Sequence, residues 1–142
     1  MPCDGLVSRT EGAHLSLCLD VPSLNDPGTP IEFTIYITAD GTEPSALTYR
    51  SSQRYDFAVV DSSGREIWRW SMGKAFAQVM SEETLETGAT LRFREVWDQR
   101  DNEGREVAGQ TYSAVGESLH CSADYQDCGH TLQRTFEILR PL

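Results

Sequence analysis

Apolar and polar residues alternate along much of the chain with a period of two. The clearest stretch is residues 31–38, IEFTIYIT, in which Ile31, Phe33, Ile35 and Ile37 would share one face of a strand. A second stretch, LSLCLDV at 15–21, alternates in the same way. This spacing is typical of β-strands with one buried face, because successive side chains point to opposite faces of a sheet. The pattern therefore predicts a sheet protein with Phe33 and Ile35 in its core.

Two further extended runs, 55–60 and 66–70, are separated by the sequence Asp-Ser-Ser-Gly at 61–64. Asp and Ser side chains initiate turns through bonds to the backbone, and Gly accepts a positive φ, so an antiparallel hairpin is expected here. All three tryptophans and several other aromatic residues lie between Tyr55 and Trp97. Aromatic residues bury the most apolar area, and the predicted core comprises Phe33, Ile35, Phe57, Val59, Trp68, Trp70, Phe93, Trp97, Tyr112 and Phe136.

Shorter strands are predicted at 46–51, 84–85, 89–97, 112–116 and 132–139. Residues 71–81 lack a period of two; the spacing of Met72, Phe76, Val79 and Met80 suits an irregular crossover with one helical turn at most. Residues 1–14 are polar and are predicted to form an N-terminal arm. The whole pattern indicates an all-β protein, an antiparallel β-sandwich of about eight or nine strands in a single domain, 15–142.

The aromatic region also carries an ordered series of residues with defined spacing: Phe57, Val59, Asp61, Gly64, Trp68, Arg69, Trp70, Ser71, Gly73, Phe76, Gln78, Leu85, Gly88, Phe93 and Trp97. This series resembles the BsuPI domain, the bacterial intracellular proteinase inhibitor family, over about residues 31 to 115. The resemblance implies an immunoglobulin-like β-sandwich and, through the family, inhibition of a proteinase. Residues 15–142 are accordingly identified as one BsuPI-like domain.

Charge and hydropathy exclude two kinds of partner. The chain of 142 residues has 22 acidic and 12 basic side chains and a net charge of −10. Nucleic acids and anionic membranes are bound by clusters of Lys and Arg, so neither is expected as a partner. No run approaches the roughly 18 apolar residues of a membrane helix. Neither membrane insertion nor a signal peptide is therefore predicted.

The four cysteines allow three complete sets of disulfides. Cys18 lies on the polar face of its predicted strand, which suits a bond that holds the N-terminal arm better than a bond between sheets. The favoured pairs are Cys3–Cys18 and Cys121–Cys128. The alternative is zinc, for which two thiolates and two imidazoles are available in His120, Cys121, Cys128 and His130.

The spacing of that alternative set matches no common zinc motif, so disulfides are favoured and neither a metal nor a cofactor is expected. Disulfides persist in oxidising compartments, and the four cysteines therefore favour an extracellular or cell-surface location. The family name and the missing signal peptide favour the cytoplasm instead. Both locations stay open from the sequence.

Catalytic signatures are not found in the sequence. The three histidines, His14, His120 and His130, do not fall in a recognisable series with a nucleophile and an acid. Glycine-rich phosphate loops are also missing from the sequence. An enzyme is therefore not predicted, and the protein is expected to act by binding another protein.

Two loops are candidates for binding a serine protease, since rigid exposed loops lose little entropy on binding. The first, 71–80, offers Met72, Lys74, Phe76 and Met80 to specificity pockets. The second, 98–110, offers Arg100 and Arg105, which would suit a trypsin-like pocket. The alternative function is a structural or adhesive module of an exported bacterial protein, which assembles with itself through its edge strands.

Overall fold

The computed structural model describes residues 8–10, 15–121 and 125–140, the first of these as backbone only. Within these residues there are strands and turns but no helix, so no described helix could cross a membrane. The strands are β1 (Ser8–Thr10), β2 (Leu15–Asp20), β3 (Leu24–Asn25), β4 (Ile31–Ala39), β5 (Ser45–Tyr49), β6 (Tyr55–Val60), β7 (Glu66–Arg69), β8 (Ser81–Leu85), β9 (Thr90–Trp97), β10 (Thr111–Cys121) and β11 (Cys128–Ile138). The predicted all-β fold is confirmed.

The strands form two sheets that pack as a sandwich. The first sheet has the order β1-β2-β4-β9, and the second has the order β3-β11-β10-β5-β8. In the second sheet β6 also pairs with β10, and β7 pairs with β6. The Tyr112 hydroxyl donates a hydrogen bond to the carbonyl oxygen of Ala108, four residues upstream. Such a tyrosine corner is typical of immunoglobulin-like sandwiches.

The core between the sheets is rich in aromatic rings. The centroid of the Phe33 ring lies 6.0 Å from that of Phe57, 6.2 Å from Trp97 and 5.9 Å from Phe136. Burial of each large apolar side chain contributes roughly 1.5–3 kcal/mol. Of the residues that the sequence places in the core, eight are buried (Phe33, Ile35, Phe57, Val59, Phe93, Trp97, Tyr112 and Phe136), while Trp68 and Trp70 are half-buried and pack against the core.

The N-terminal part of the sandwich differs from the sequence-based expectation. Ser8–Thr10, inside the segment expected to be an arm, form the short edge strand β1 on β2. Cys18 is buried and disulfide-bonded, although the alternation in β2 placed it on a polar face. Its expected partner Cys3 lies outside the described residues, so the Cys3–Cys18 pair stays a prediction.

The strands β10 and β11 form a hairpin that is longer at its tip than predicted. Strand β10 continues past 116 to Cys121, and β11 begins at Cys128 rather than at 132. Cys121 pairs with Cys128 across the hairpin, and the two residues form a disulfide with their Cα atoms 3.9 Å apart. The predicted Cys121–Cys128 bond is confirmed, and both sulfur atoms are used in it rather than as zinc ligands. His120 and His130 thus lie on paired strands instead of in a polar loop.

We expect the Cys121→Ser/Cys128→Ser variant to lose about 2 kcal/mol of unfolding free energy. The bond closes a loop with a sequence separation of 7, and a short loop restricts the unfolded chain less than a long one does. Urea titration of the variant and the unaltered protein measures the difference. The variant is preferable to a reductant, which would also cut the disulfide of Cys18. Equal urea midpoints would contradict this expectation.

Candidate protein-binding site

The loop 71–80, which connects β7 to β8, exposes three large apolar side chains. Met72 is 57% exposed, Val79 59% and Met80 64%, and we call these three residues the loop patch. Single exposed apolar residues are ordinary on protein surfaces, whereas these three are concentrated in one loop. The loop patch accounts for half of the large apolar side chains exposed among the described residues; the others are Leu24, Val96 and Leu139 on separate elements.

The first residue of the loop, Ser71, is hydrogen-bonded to the buried carboxylate of Asp56 on β6. Its Oδ1 atom accepts hydrogen bonds from the backbone N–H of Phe57 at 2.9 Å and of Ser71 at 3.1 Å. Its Oδ2 atom accepts from Arg69 Nη1 at 2.8 Å and from the Ser71 hydroxyl at 2.5 Å. Since bonds to a charged acceptor are the strong ones, this carboxylate fixes the first residue of the loop.

Arg69 links the Asp56 carboxylate, which is the first anchor of the loop, to an exposed residue on the protein surface. Its guanidinium lies between buried Asp56 and exposed Glu66, with Nη2 2.6 Å from a Glu66 oxygen. The hydrogen bond to Glu66, followed by that to Asp56, raises the pKa of Arg69 despite its partial burial. Arg69 therefore stays charged and balances the Asp56 carboxylate beneath the loop.

A tight turn then displays Met72. The N–H of Lys74 donates to the carbonyl oxygen of Ser71 at 3.0 Å, and Gly73 has a φ of +79°. A positive φ at the third position is what a type II turn requires, and Gly adopts it without strain. Met72 occupies the second position, at the tip of the turn, where its side chain is exposed.

The middle of the loop packs back onto the sandwich. The Phe76 ring lies 6.0 Å from that of Trp70, and Lys74 Nζ lies 5.0 Å from the centroid of the Trp70 indole. Phe76 is half-buried by this contact. Of the residues proposed from the sequence for this loop, Met72 and Met80 are thus displayed, Phe76 supports the loop, and Lys74 covers Trp70.

A second anchor follows at Ala77. Its carbonyl oxygen accepts a hydrogen bond from the N–H of Ser52 at 2.9 Å, and its N–H donates to the Ser52 hydroxyl at 2.8 Å. Val79 and Met80 come immediately after this pair of bonds and before β8. The predicted irregular crossover is therefore confirmed: the loop is a turn followed by irregular backbone without a helical turn, held at both Ser71 and Ala77.

In the second candidate loop, 98–110, both arginines are paired within the loop itself. Arg105 Nε lies 3.3 Å from Asp101 Oδ2, and its guanidinium also bonds to Glu103. Arg100 Nη2 lies 3.6 Å from Glu106. Neither Arg100 nor Arg105 projects as an unpaired cation.

This second loop also covers the free edge of β7. The N–H of Asn102 donates to the carbonyl oxygen of Ile67 at 2.9 Å, and the N–H of Arg69 donates to Asn102 Oδ1 at 3.0 Å. Because the first loop starts where β7 ends, loop 98–110 stabilises the strand from which the loop patch projects. The sequence pointed to both loops, but the contact of loop 98–110 with β7 through Asn102 carries no local sequence signal.

A family model for the BsuPI domain, the intracellular proteinase inhibitor family, matches residues 19–119. The matched span contains the loop patch, both of its anchors and the second loop. Among curated proteins, none matches the chain.

Solved structures with similar folds include a sporulation control protein of Bacillus subtilis, with 12% identity over 90% of this chain and 50% of that one and a TM-score of 0.50. An alkylpurine DNA glycosylase of Pseudomonas fluorescens has 19% identity over 90% of this chain and a TM-score of 0.47, and this chain spans only 31% of its length. A CARDB domain of Pyrococcus furiosus has 8% identity over 94% of this chain and all of its own, with a TM-score of 0.46. At 12% identity the likeness to the sporulation protein concerns the fold alone.

Proposed function

Because the chain belongs to the BsuPI family of intracellular proteinase inhibitors, we propose that it binds a proteinase through loop 71–80 and blocks the substrate cleft. The observation that carries this proposal is the loop patch, in which Met72, Val79 and Met80 are exposed on one anchored loop. A proteinase cleft binds extended backbone and accepts side chains into pockets. The loop offers apolar side chains of a size that fills such pockets.

The two anchors support this proposal energetically. Ordering a loop on binding costs about 0.5–1.5 kcal/mol for each immobilised side chain, besides the backbone. Hydrogen bonds to Asp56 and Ser52 already hold Ser71 and Ala77 in the free protein. A loop held in this way loses less conformational entropy on binding. More of the free energy gained by burying its apolar side chains therefore contributes to affinity.

Loop 98–110 supports this site rather than entering the cleft itself. Its exposed ion pairs are individually weak, about 0.2–1 kcal/mol each. However, the hydrogen bonds of Asn102 with the backbone of Ile67 and Arg69 hold the loop against β7. Presenting Arg100 or Arg105 to a trypsin-like pocket would require the loop to break its pairs with Glu106, Asp101 and Glu103. We therefore assign the proteinase contact to the loop patch.

The variant Met72→Ser/Val79→Ser/Met80→Ser should inhibit at least about tenfold more weakly than the unaltered protein, because a few side chains that become buried in a partner's pockets carry most of the binding energy. The measurement is residual activity of a subtilisin-type and a trypsin-type serine proteinase during titration with the purified domain. The matched control is Leu24→Ser/Val96→Ser, which removes apolar side chains of comparable exposure from other surfaces. Both variants should unfold at the temperature of the unaltered protein.

Full proteinase activity at micromolar excess of the unaltered domain would overturn the proposal. Equal loss of inhibition in the patch variant and the control would overturn the assignment to this loop. A stable oligomer in sedimentation, together with full proteinase activity, would instead favour a self-assembling module. The charged residues Arg92 and Arg94 on edge strand β9 oppose such edge-to-edge pairing.

A further inference from the structure

The loop patch contains both methionines that follow Met1 in the sequence. Met72 and Met80 are 57% and 64% exposed, so solvent reaches their side chains directly. Methionine is ordinarily a core residue, and its thioether is protected by burial. The structure thus places this oxidisable side chain on the surface that the proposed function uses for binding.

We infer that Met72 and Met80 form an oxidation-sensitive modification site that switches the proteinase contact off. This inference rests on the proposed function of loop 71–80. Hydrogen peroxide is the oxidant: its O–O bond breaks, each thioether sulfur gives up two electrons and gains one oxygen atom, and the products are methionine sulfoxide and water. No bond of the backbone breaks, and the step is reversible by sulfoxide reductases.

Oxidation weakens binding because it makes the methionine side chains polar. Methionine sulfoxide carries a strong hydrogen-bond acceptor in place of an apolar sulfur. An apolar pocket offers that oxygen no donor, so its desolvation weakens binding. The anchors at Asp56 and Ser52 contain no oxidisable sulfur, and the loop backbone keeps its position after oxidation.

Other oxidisable side chains among the described residues are better protected. Cys18, Cys121 and Cys128 are held in disulfides. Trp97 is buried, Trp68 is half-buried against Phe33 and Trp97, and Trp70 is half-buried beneath Lys74 and Phe76. Mild peroxide should therefore modify the two loop methionines before it affects the fold.

The test compares the unaltered protein with Met72→Leu/Met80→Leu, whose side chains stay apolar and of similar size but cannot form sulfoxides. Each protein is treated with hydrogen peroxide, which catalase removes before the proteinase is added. Peptide mass spectrometry confirms one added oxygen at each methionine. Each protein is compared with its own untreated sample: oxidation should weaken inhibition by the unaltered protein about tenfold, whereas the leucine variant should inhibit equally before and after peroxide. Treatment with methionine sulfoxide reductases should restore inhibition.

The outcomes separate the two claims. An untreated protein that does not inhibit any proteinase would overturn the proposed function, and the switch with it. Undiminished inhibition after complete oxidation of Met72 and Met80 would overturn the switch alone. An equal loss of inhibition in the leucine variant would also overturn it, because the sensitive group would then lie elsewhere. Single Met72→Leu and Met80→Leu variants identify the residue responsible.

Discussion

Replacing Asp56 by alanine is expected to lower the free energy of unfolding by about 3 kcal/mol, because the change leaves a partly buried cation and several buried donors without their acceptor. The Asp56 carboxylate is 5% exposed and accepts bonds from Arg69, from the N–H groups of Phe57 and Ser71, and from the Ser71 hydroxyl. Removing it releases the start of loop 71–80 as well. Inhibition should therefore weaken together with stability.

Two further variants separate the buried anchor from the exposed ion pair. Glu66→Ala removes the other carboxylate on Arg69, but that pair is solvent-exposed, so its loss should cost no more than about 1 kcal/mol. Asp56→Asn keeps one oxygen as acceptor for the backbone N–H groups, but it loses the charge and puts an NH2 group where Oδ2 accepts from Arg69 and the Ser71 hydroxyl. Its effect should lie between those of Glu66→Ala and Asp56→Ala. Urea unfolding measures all three, and equal costs for Asp56→Ala and Glu66→Ala would contradict this account.

The strands could be predicted wherever one face of the sheet is buried and the other is polar. Strand β4 is the clearest case: Ile31, Phe33, Ile35 and Ile37 are all buried in the structure. Strands β1 and β3 could not be predicted, because two or three residues are too few to show a period. Their positions depend on pairing with β2 and β11 instead.

The ends of β10 and β11 could not be predicted, because the inward residues there are small or polar. Beyond Tyr112 and Ala114, the inner face of β10 continues with Gly116, Ser118 and His120. A Cβ atom at Gly116 would lie 3.0 Å from side-chain atoms of Ile35 and Leu19, so the other sheet fills that position. A hydropathy pattern does not register a glycine or a serine as a core residue.

The site could be predicted in part. The sequence indicated loop 71–80 and, within it, Met72 and Met80, but it also proposed Phe76 as a contact side chain. In the structure Phe76 packs on Trp70, while Val79 and Met80 are exposed. Asp56 was missed because its partners Arg69 and Ser71 lie in the next strand and loop, and only the fold brings them to one carboxylate.

Acidification from pH 7 to pH 4 is expected to cost about 3 kcal/mol of stability through His120 alone. The ring is 2% exposed and stacks on His130 with centroids 4.1 Å apart. Its Nδ1 lies 2.7 Å from the Ser118 hydroxyl, whereas its Nε2 has no hydrogen-bond partner among the described residues. Burial, followed by the neighbouring His130, lowers the pKa of His120 from 6.5 to about 4.

The sign of the effect follows from proton binding. Between pH 6.5 and pH 4 the unfolded chain holds a proton on His120 and the folded protein does not, so stability is complete above pH 6.5 and falls as the pH falls through this window. A difference of 2.5 pKa units corresponds to about 3 kcal/mol. Burial also lowers the pKa of His130, and Asp127 opposes that shift.

The variant His120→Phe keeps an aromatic ring against His130 and cannot take up a proton. Carboxylates also titrate below pH 5, so the informative quantity is the difference between the two proteins in urea unfolding at pH 7, 5.5 and 4. Loss of the Ser118 hydrogen bond lowers the stability of the variant equally at every pH and leaves its pH dependence unaffected. We expect the stability of the unaltered protein to fall more steeply with acidification, by about 3 kcal/mol in total. Parallel pH profiles would mean that His120 titrates in the folded protein as it does in the unfolded chain, and that its burial carries no cost for the charged form.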